Sequence, residues 1–157
     1  KTITNSYQSF SSGETRIPLN VKNSKIDLIF LPLICYEIIY SGKLSKDNSF
    51  DYIINISEDG WFGKSIGPKQ HFSHSIFRSI ESGKYIIRSS NNGVSAIINP
   101  IGIVEQKAEF KSKGYVELSG SKLVKSTPFM QYGNKIFLML ILIYIFLIFS
   151  FNKLKHE

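Results

Sequence analysis

Residues 136–151, near the C-terminal end of the chain, form a run of sixteen residues without a charge. At a rise of 1.5 Å per residue this run would form about 24 Å of helix, which nearly spans the hydrocarbon of a bilayer. Aromatic and basic residues on both sides, among them Tyr132 and Lys153, can lie in the interfaces and supply the missing length. The pattern predicts a transmembrane helix at 131–152 and a basic tail at 153–157, with a buried core helix as the alternative.

The rest of the chain has the layout of one layered domain. It begins at Lys1 rather than at a methionine, with no signal pattern, so 1–12 is interpreted as the polar start of a truncated chain and 13–130 as the domain. Short apolar runs alternate with polar, helix-compatible stretches, which is typical of an α/β or α+β fold. The runs lack a polar alternate face, so we expect sheet strands covered on both sides. Strands are predicted at 26–34, 52–57, 85–90, 94–99 and, more weakly, 114–118.

Two helices are predicted between these strands. One begins near Pro68, a residue suited to a first helical turn, and runs towards Gly83, a plausible stop. The other is shorter, at 36–46. Turns are predicted at 91–93 and 99–102, where Asn and Gly tolerate a positive φ.

Charge and cysteine content restrict the function classes. The net charge of +7 comes from lysines scattered along the chain, not from a basic stripe, which argues against nucleic acid and suits an anionic bilayer or a solvated surface. A single cysteine excludes an internal disulfide framework. His71 and His74 have no third ligand cluster nearby, so no metal and no cofactor is predicted. Arg78 and Glu81 are interpreted as a structural ion pair.

Cys35, the only cysteine, stands at the end of an apolar strand and directly before the shorter predicted helix. A thiol in that position points out of the sheet edge, where a helix N-terminus favours the thiolate and offers N–H groups to an oxyanion. Most lone cysteines are inert core residues, so position alone leaves both interpretations open.

The neighbours of Cys35 decide between them. Motifs stand in a specific order that resembles the second half of the bacterial apolipoprotein N-acyltransferase family, from about Phe10 to the final apolar run. The main blocks are Leu33-Ile34-Cys35-Tyr36-Glu37, Asn55-Ile56-Ser57-Glu58-Asp59-Gly60-Trp61-Phe62-Gly63, Gly67-Pro68-Lys69-Gln70-His71-Phe72, Arg88-Ser89-Ser90-Asn91-Asn92-Gly93 and Thr127-Pro128-Phe129.

The resemblance implies a fold and a reaction. The fold would be the C-terminal half of a nitrilase-like αββα sandwich followed by one transmembrane helix. Cys35 would take a fatty acyl group from a phospholipid as a thioester and pass it to the N-terminal amino group of a diacylglyceryl-modified lipoprotein. The acyl transfer would take place on the periplasmic face of the bacterial inner membrane. The family's catalytic Glu and Lys would precede Lys1, in a missing N-terminal portion that is a possible partner.

The resemblance also assigns supporting roles. Tyr36 would offer its backbone N–H to the oxyanion, and Glu37 would support the geometry of the site, unless it only favours a helix dipole. Trp61 and Phe62 lie in a glycine-flanked loop, so this aromatic pair would contact the acyl chain or the membrane, or else cap the core. Asn91 would shape the pocket loop, or else serve only the turn at 91–93. Glu58 stands where the family more often has asparagine.

Two alternatives remain at this stage. The chain would be a membrane-tethered nitrilase-type amidase if water resolved the thioester. It would be an inactive remnant or a docking subunit if the Glu and Lys of the triad were never supplied.

Overall fold

The structure is a computed structural model that describes residues 13, 15–24, 26–42, 44–108 and 114–154. The predicted polar start at 1–12 and the last three residues of the predicted basic tail lie outside the described residues.

One mixed sheet organises the domain. Its six strands follow the order of the chain: β1 (Leu19–Lys22), β2 (Asp27–Ile34), β3 (Tyr52–Glu58), β4 (Tyr85–Asn91), β5 (Ala96–Ile98) and β6 (Val104–Lys107). The central strands β2, β3 and β4 are parallel, whereas β1, β5 and β6 join antiparallel. The α/β prediction is confirmed, and with it the four main predicted strands.

The strand predictions missed both edges of the sheet. Strands β1 and β6 have four residues each and are largely exposed, so neither carries the apolar run that identifies a buried strand. The strand predicted at 114–118 is wrong, because that segment joins no ladder. Its Glu117 N–H donates to the side chain of Gln106 at 3.1 Å instead of to a backbone carbonyl.

Helix α1 (Gly67–Ser82) fits its prediction. Pro68 lies in its first turn, and Gly83 ends it in the left-handed conformation with its N–H on the carbonyl of Ser79 at 2.8 Å. The helix predicted at 36–46 is wrong: a 3-10 turn, Cys35–Ile39, stands there. The chain becomes extended at Tyr40 and turns at Gly42, where φ is +92°. The argument from a helix dipole at Cys35 therefore does not apply.

The two faces of the sheet differ in their covering. On one face, helix α1 and the 3-10 turn cover a core that includes Leu31, Leu33, Ile53 and Ile86, all nearly inaccessible to solvent. On the other face, the paired residues Ile34 and Ile56 are 68% and 62% exposed. Because side chains alternate along a strand, these strands are apolar on both faces but fully covered on one.

A short helix α2 (Pro128–Tyr132) leads into a long helix α3 (Lys135–Leu154). The predicted apolar helix therefore exists, and the side chains at 137–149 are exposed. However, no helix in the described part of the chain combines the length and the apolarity needed to cross a membrane, so the transmembrane prediction is not confirmed. The uncharged run gives about 24 Å, less than the roughly 30 Å of hydrocarbon.

Candidate functional site

The site lies where the three parallel strands end. Cys35 directly follows β2, Asp59 follows β3, and Asn91 is the last residue of β4. The carboxyl ends of parallel strands meet at one edge of a sheet, which is where ligand sites of open α/β sheets form. The sheet therefore brings together three motifs that are up to 56 positions apart in the sequence.

Cys35 has a strained backbone. Its φ of +47° lies in the left-handed region, which a non-glycine residue enters at a cost of about 1–3 kcal/mol. Its half-buried thiol has two hydrogen-bonding neighbours among the described residues: the hydroxyl of Ser57, 3.7 Å from Sγ, and the carbonyl of Glu58 at 4.0 Å. Since neither neighbour is a base, these groups alone cannot take the thiol proton.

The backbone carbonyl of Cys35 accepts hydrogen bonds from two buried side chains. His71 Nε2 from helix α1 is 3.2 Å away, and Asn55 Nδ2 from strand β3 is 3.4 Å away. Asn55 also donates to the carbonyl of Leu33 at 2.9 Å. The turn that carries the thiol is thus held from two elements.

A buried charged network lies beneath this turn. Arg88 Nη2 contacts both carboxylate oxygens of Asp59, at 2.8 and 3.1 Å, and Arg88 also donates to Asn55. Asp59 Oδ1 is 2.8 Å from His71 Nδ1 and accepts from the Ser57 hydroxyl at 2.7 Å. Buried charges are retained when they are paired in this way.

The network sets the ionisation of its members. Burial would raise the pKa of Asp59, but hydrogen bonds from Ser57 and His71 and the charge of Arg88 lower the pKa below its ordinary value. Burial lowers the pKa of Arg88, and the carboxylate of Asp59 opposes that effect. Asp59 is therefore ionised and Arg88 charged at neutral pH.

Gly93 completes the packing around Asp59. A Cβ at this position would collide with the carboxylate of Asp59 and the hydroxyl of Ser90. The predicted Asn-Asn-Gly turn forms here, with Asn92 at a φ of +58°. Its glycine is thus required by the close approach of Asp59.

Glu37 supports the outer side of the Cys35 turn. One carboxylate oxygen accepts from the N–H of Ile34 at 2.7 Å, and the other pairs with Arg16 at 3.0 Å. Arg16 also donates to the carbonyl of Leu44. Glu37 therefore ties the strand end before Cys35 to the segment before β1, a contact more specific than a helix dipole.

Glu58 and Asn91 form the rim on the far side. Asn91 Nδ2 donates to Glu58 at 2.5 Å, and the N–H of Gly60 donates to the other carboxylate oxygen at 2.6 Å. The hydrogen bond from Asn91, followed by that from Gly60, lowers the pKa of Glu58. Glu58 thus has an acceptor role at the start of the Trp61 loop.

The two aromatic residues of that loop have different environments. Trp61 is 68% exposed, whereas Phe62 is half-buried with its ring 5.5 Å from that of His71. Phe62 and Tyr36 line a cavity of about 570 Å³ next to the turn, together with Ile39, Ile66, His74 and Phe77. Only Phe62 of the aromatic pair packs inward.

The structure brings all six predicted site residues to one end of the sheet, although the direct contacts of Cys35 are with residues that sequence reasoning did not select. Among the described residues, no group of three His, Cys, Asp or Glu side chains is arranged to hold a metal. Arg78 and Glu81 form the predicted ion pair at 2.9 Å.

Sequence reasoning missed the network of Ser57, Asp59, His71 and Arg88 as part of the site. A signal was present in strand β4: Arg88 directly follows the apolar residues Tyr85, Ile86 and Ile87, and an arginine that is buried with such a run requires a charged partner. The partner could not be identified, because it lies 29 positions away.

Comparison with known proteins gives a family. The carbon-nitrogen hydrolase family profile matches residues 8–121. The apolipoprotein N-acyltransferase of Rickettsia bellii is 39% identical over 93% of this chain, and that of Rickettsia typhi is 44% identical over 70% of it. The chain spans only 29% and 23% of the lengths of these two relatives.

A likeness to solved structures is more distant. An amidase from Nesterenkonia sp. matches with a TM-score of 0.49 and 14% identity, over 66% of this chain and 41% of that chain.

Proposed function

Because this chain belongs to the carbon-nitrogen hydrolase family, we propose that it forms part of an apolipoprotein N-acyltransferase in which Cys35 is the nucleophile. The single observation that carries the proposal is the strained position of Cys35 at the meeting point of three parallel strands, in a chain that is 39% and 44% identical to relatives of that name. Strained residues cluster at functional sites because the surrounding structure holds them there.

The proposed reaction has two steps. The Cys35 sulfur, after losing its proton to a base, bonds to the acyl carbon of a phospholipid ester. The ester C–O bond then breaks, and the lysophospholipid oxygen leaves with that proton. In the second step the amino nitrogen of a diacylglyceryl-modified lipoprotein attacks the thioester carbon. The C–S bond breaks and the sulfur leaves as a thiolate, and the amine proton passes through the base to this sulfur and restores the thiol. A thiolate suits both steps, since it attacks esters and leaves thioesters readily.

Within this chain, we assign Tyr36 and Glu37 to the support of those steps. The Tyr36 N–H would donate to the oxyanion that forms on the acyl oxygen, an interaction of the kind that accounts for much of the rate enhancement in acyl transfer. Glu37 would keep the end of β2 in place through its contact with the Ile34 N–H. The base and the lysine of the triad would come from a separate N-terminal portion.

The exposed sheet face supports that part of the proposal. Ile34 and Ile56 lie side by side on a face that the described part of the chain leaves open at this end. In an αββα sandwich this face would pack against the second sheet, contributed by the N-terminal portion. Burial of such a face favours association of the two portions.

We also propose that the enzyme works at the bacterial inner membrane, on the periplasmic face. Both substrates carry acyl chains, and the exposed side chains of helix α3 from Phe137 to Phe149 are almost all apolar. The exposed Trp61 and the cavity beside Phe62 would meet the acyl chain near this surface.

The test is acyl transfer by a complemented enzyme, which we define as this chain joined to the N-terminal portion of the Rickettsia bellii relative that it does not cover. Purified protein is mixed with phospholipid vesicles that carry a labelled acyl chain and with a diacylglyceryl-modified lipopeptide. We expect a labelled thioester and then labelled lipopeptide, and neither product with Cys35→Ala. Transfer that survives Cys35→Ala would contradict the nucleophile assignment.

The same assay separates the two alternatives. A nitrilase-type amidase would release ammonia from a soluble amide and leave the lipopeptide unlabelled. A remnant or docking subunit would give no product with either substrate, even though the two portions associate.

A further inference from the structure

The peptide group that joins Cys35 to Tyr36 is held at its carbonyl oxygen. His71 Nε2 and Asn55 Nδ2 both donate to that oxygen, at 3.2 and 3.4 Å. A peptide group is planar, and its C=O and N–H point in opposite directions. The contacts that fix the Cys35 carbonyl therefore also fix the direction of the Tyr36 N–H.

The His71 ring faces an oxygen at each of its nitrogens. Nε2 meets the carbonyl of Cys35, and Nδ1 meets Asp59 Oδ1 at 2.8 Å. Because a carbonyl oxygen cannot donate, Nε2 is the donor in the contact with Cys35. Arg88 Nη2 is also 3.2 Å from Nδ1, but its protons have the two carboxylate oxygens of Asp59 as nearer acceptors.

The ring has little freedom to turn away. Its side chain is almost fully buried, and the rings of Phe62 and Tyr36 flank it with centroids 5.5 and 5.8 Å away. Its anchor, Asp59, is itself held by Arg88 and Ser57. A rigid chain of contacts thus runs from strand β4 to the carbonyl of Cys35.

We infer that His71, held by Asp59, is a positioning residue that orients the Tyr36 N–H towards the oxyanion by clamping the Cys35 carbonyl. The inference rests on the proposed function, since it needs Cys35 as an acyl-accepting nucleophile. His71 is buried and touches no reacting atom. Through the Cys35 carbonyl it would nevertheless affect the step that forms the thioester. It also explains how the left-handed conformation of Cys35 is kept in one orientation.

Two amide substitutions separate the two ends of the ring. In His71→Gln the side-chain amide reaches about as far as Nε2, so it can still donate to the Cys35 carbonyl while losing Asp59. In His71→Asn the shorter amide takes the place of Nδ1, so it keeps Asp59 and loses the carbonyl. Both variants are made in the complemented enzyme, beside Cys35→Ala.

We expect thioester formation from labelled phospholipid vesicles to slow about 100-fold in His71→Asn, the scale of a misplaced or lost oxyanion donor. The rate of thioester formation should fall less than about tenfold in His71→Gln, since the direct donor to the carbonyl is kept. The KM for phospholipid should stay within about twofold in both variants, because His71 does not touch the substrate. If His71 served only to hold Asp59, His71→Gln would lose more activity than His71→Asn. That result, or an equal loss of rate in the two variants, would overturn the inference.

Alkylation of Cys35 by iodoacetamide provides a second measurement on the same proteins. This displacement forms no oxyanion, so both variants should react within about twofold of the unsubstituted enzyme if the fold is kept. A loss of alkylation equal to the loss of thioester formation would place the effect on the thiol and would overturn the inference. If the unsubstituted enzyme forms no thioester, or Cys35→Ala still forms one, the proposed function itself fails.

Discussion

Two arginine–carboxylate pairs support the Cys35 turn, and their shortest N–O distances are nearly the same. The interior pair joins Arg88 to Asp59 at 2.8 Å, and the rim pair joins Arg16 to Glu37 at 3.0 Å. The side chains of the interior pair have no exposed surface, whereas those of the rim pair are 28% and 41% exposed.

Burial, not distance, makes these pairs different. Water can replace either partner of the rim pair, so breaking it costs little. The interior partners have no access to water, and removing one leaves the other as an uncompensated buried charge. The interior pair is therefore suited to give the Cys35 turn a rigid support, whereas the rim pair forms an outer contact that can open and close.

The largest expected effect is on the interior arginine. Arg88→Met should lower the free energy of unfolding by about 3–5 kcal/mol, because Asp59 loses its guanidinium partner in a buried site. Arg16→Met, which breaks the rim pair by the same change, should cost no more than about 1 kcal/mol. Urea denaturation of the two variants measures both values. Equal losses would show that burial does not distinguish the pairs.

A smaller, pH-dependent effect is expected at Asp59. The pKa of this carboxyl is lower in the folded protein than in the unfolded chain, where it is about 3.9. Its contribution to the free energy of unfolding is therefore fully present above about pH 3.9 and is lost as the pH falls through the folded pKa. Asp59→Asn should lower the free energy of unfolding by about 3 kcal/mol at pH 7. The gap in this free energy between the variant and the unsubstituted protein should narrow below about pH 4. Urea titrations between pH 7 and 3 measure the gap. A gap that is constant with pH would contradict the assignment.

The smallest expected effect is the response of the rim pair to salt. A double-mutant cycle with Arg16→Met and Glu37→Gln should give a coupling of about 0.2–1 kcal/mol at low salt. In 1 M salt, where the Debye length is about 3 Å, that coupling should approach zero. The matched cycle with Arg88→Met and Asp59→Asn should change little, since buried pairs are weakly screened. A rim coupling that survives 1 M salt would show that the Arg16–Glu37 pair is shielded from solvent ions as the interior pair is, and would contradict the distinction by burial.

Local patterns predicted the central elements of the fold but not its edges. The runs that became β2, β3 and β4 are apolar enough to identify buried strands, and Pro68 and Gly83 bracket a helix by their backbone preferences. Strand β1 was missed because an edge strand needs no such run. The segment after Cys35 was predicted as a helix, but only one 3-10 turn forms before the chain extends at Tyr40.

The site was predictable only through its motifs. The family resemblance that Cys35 and its neighbours suggested is confirmed by the match to the carbon-nitrogen hydrolase family and by the curated relatives. The catalytic roles of Cys35, Tyr36 and Glu37 stay predictions. The role of Asp59 had no sequence signal of its own, because its partners come from three other elements.

The sequence by itself determined that this chain forms apolar sheet strands with a cysteine at a strand end, because apolar runs and turn residues act over a few neighbouring positions. Only the tertiary structure decided that Arg88, Asp59 and His71 meet beneath that cysteine. It also decided that the Arg16–Glu37 pair remains at the surface. The energy of a charged pair depends on how much water the surrounding elements exclude, and that is a property of the packed elements together.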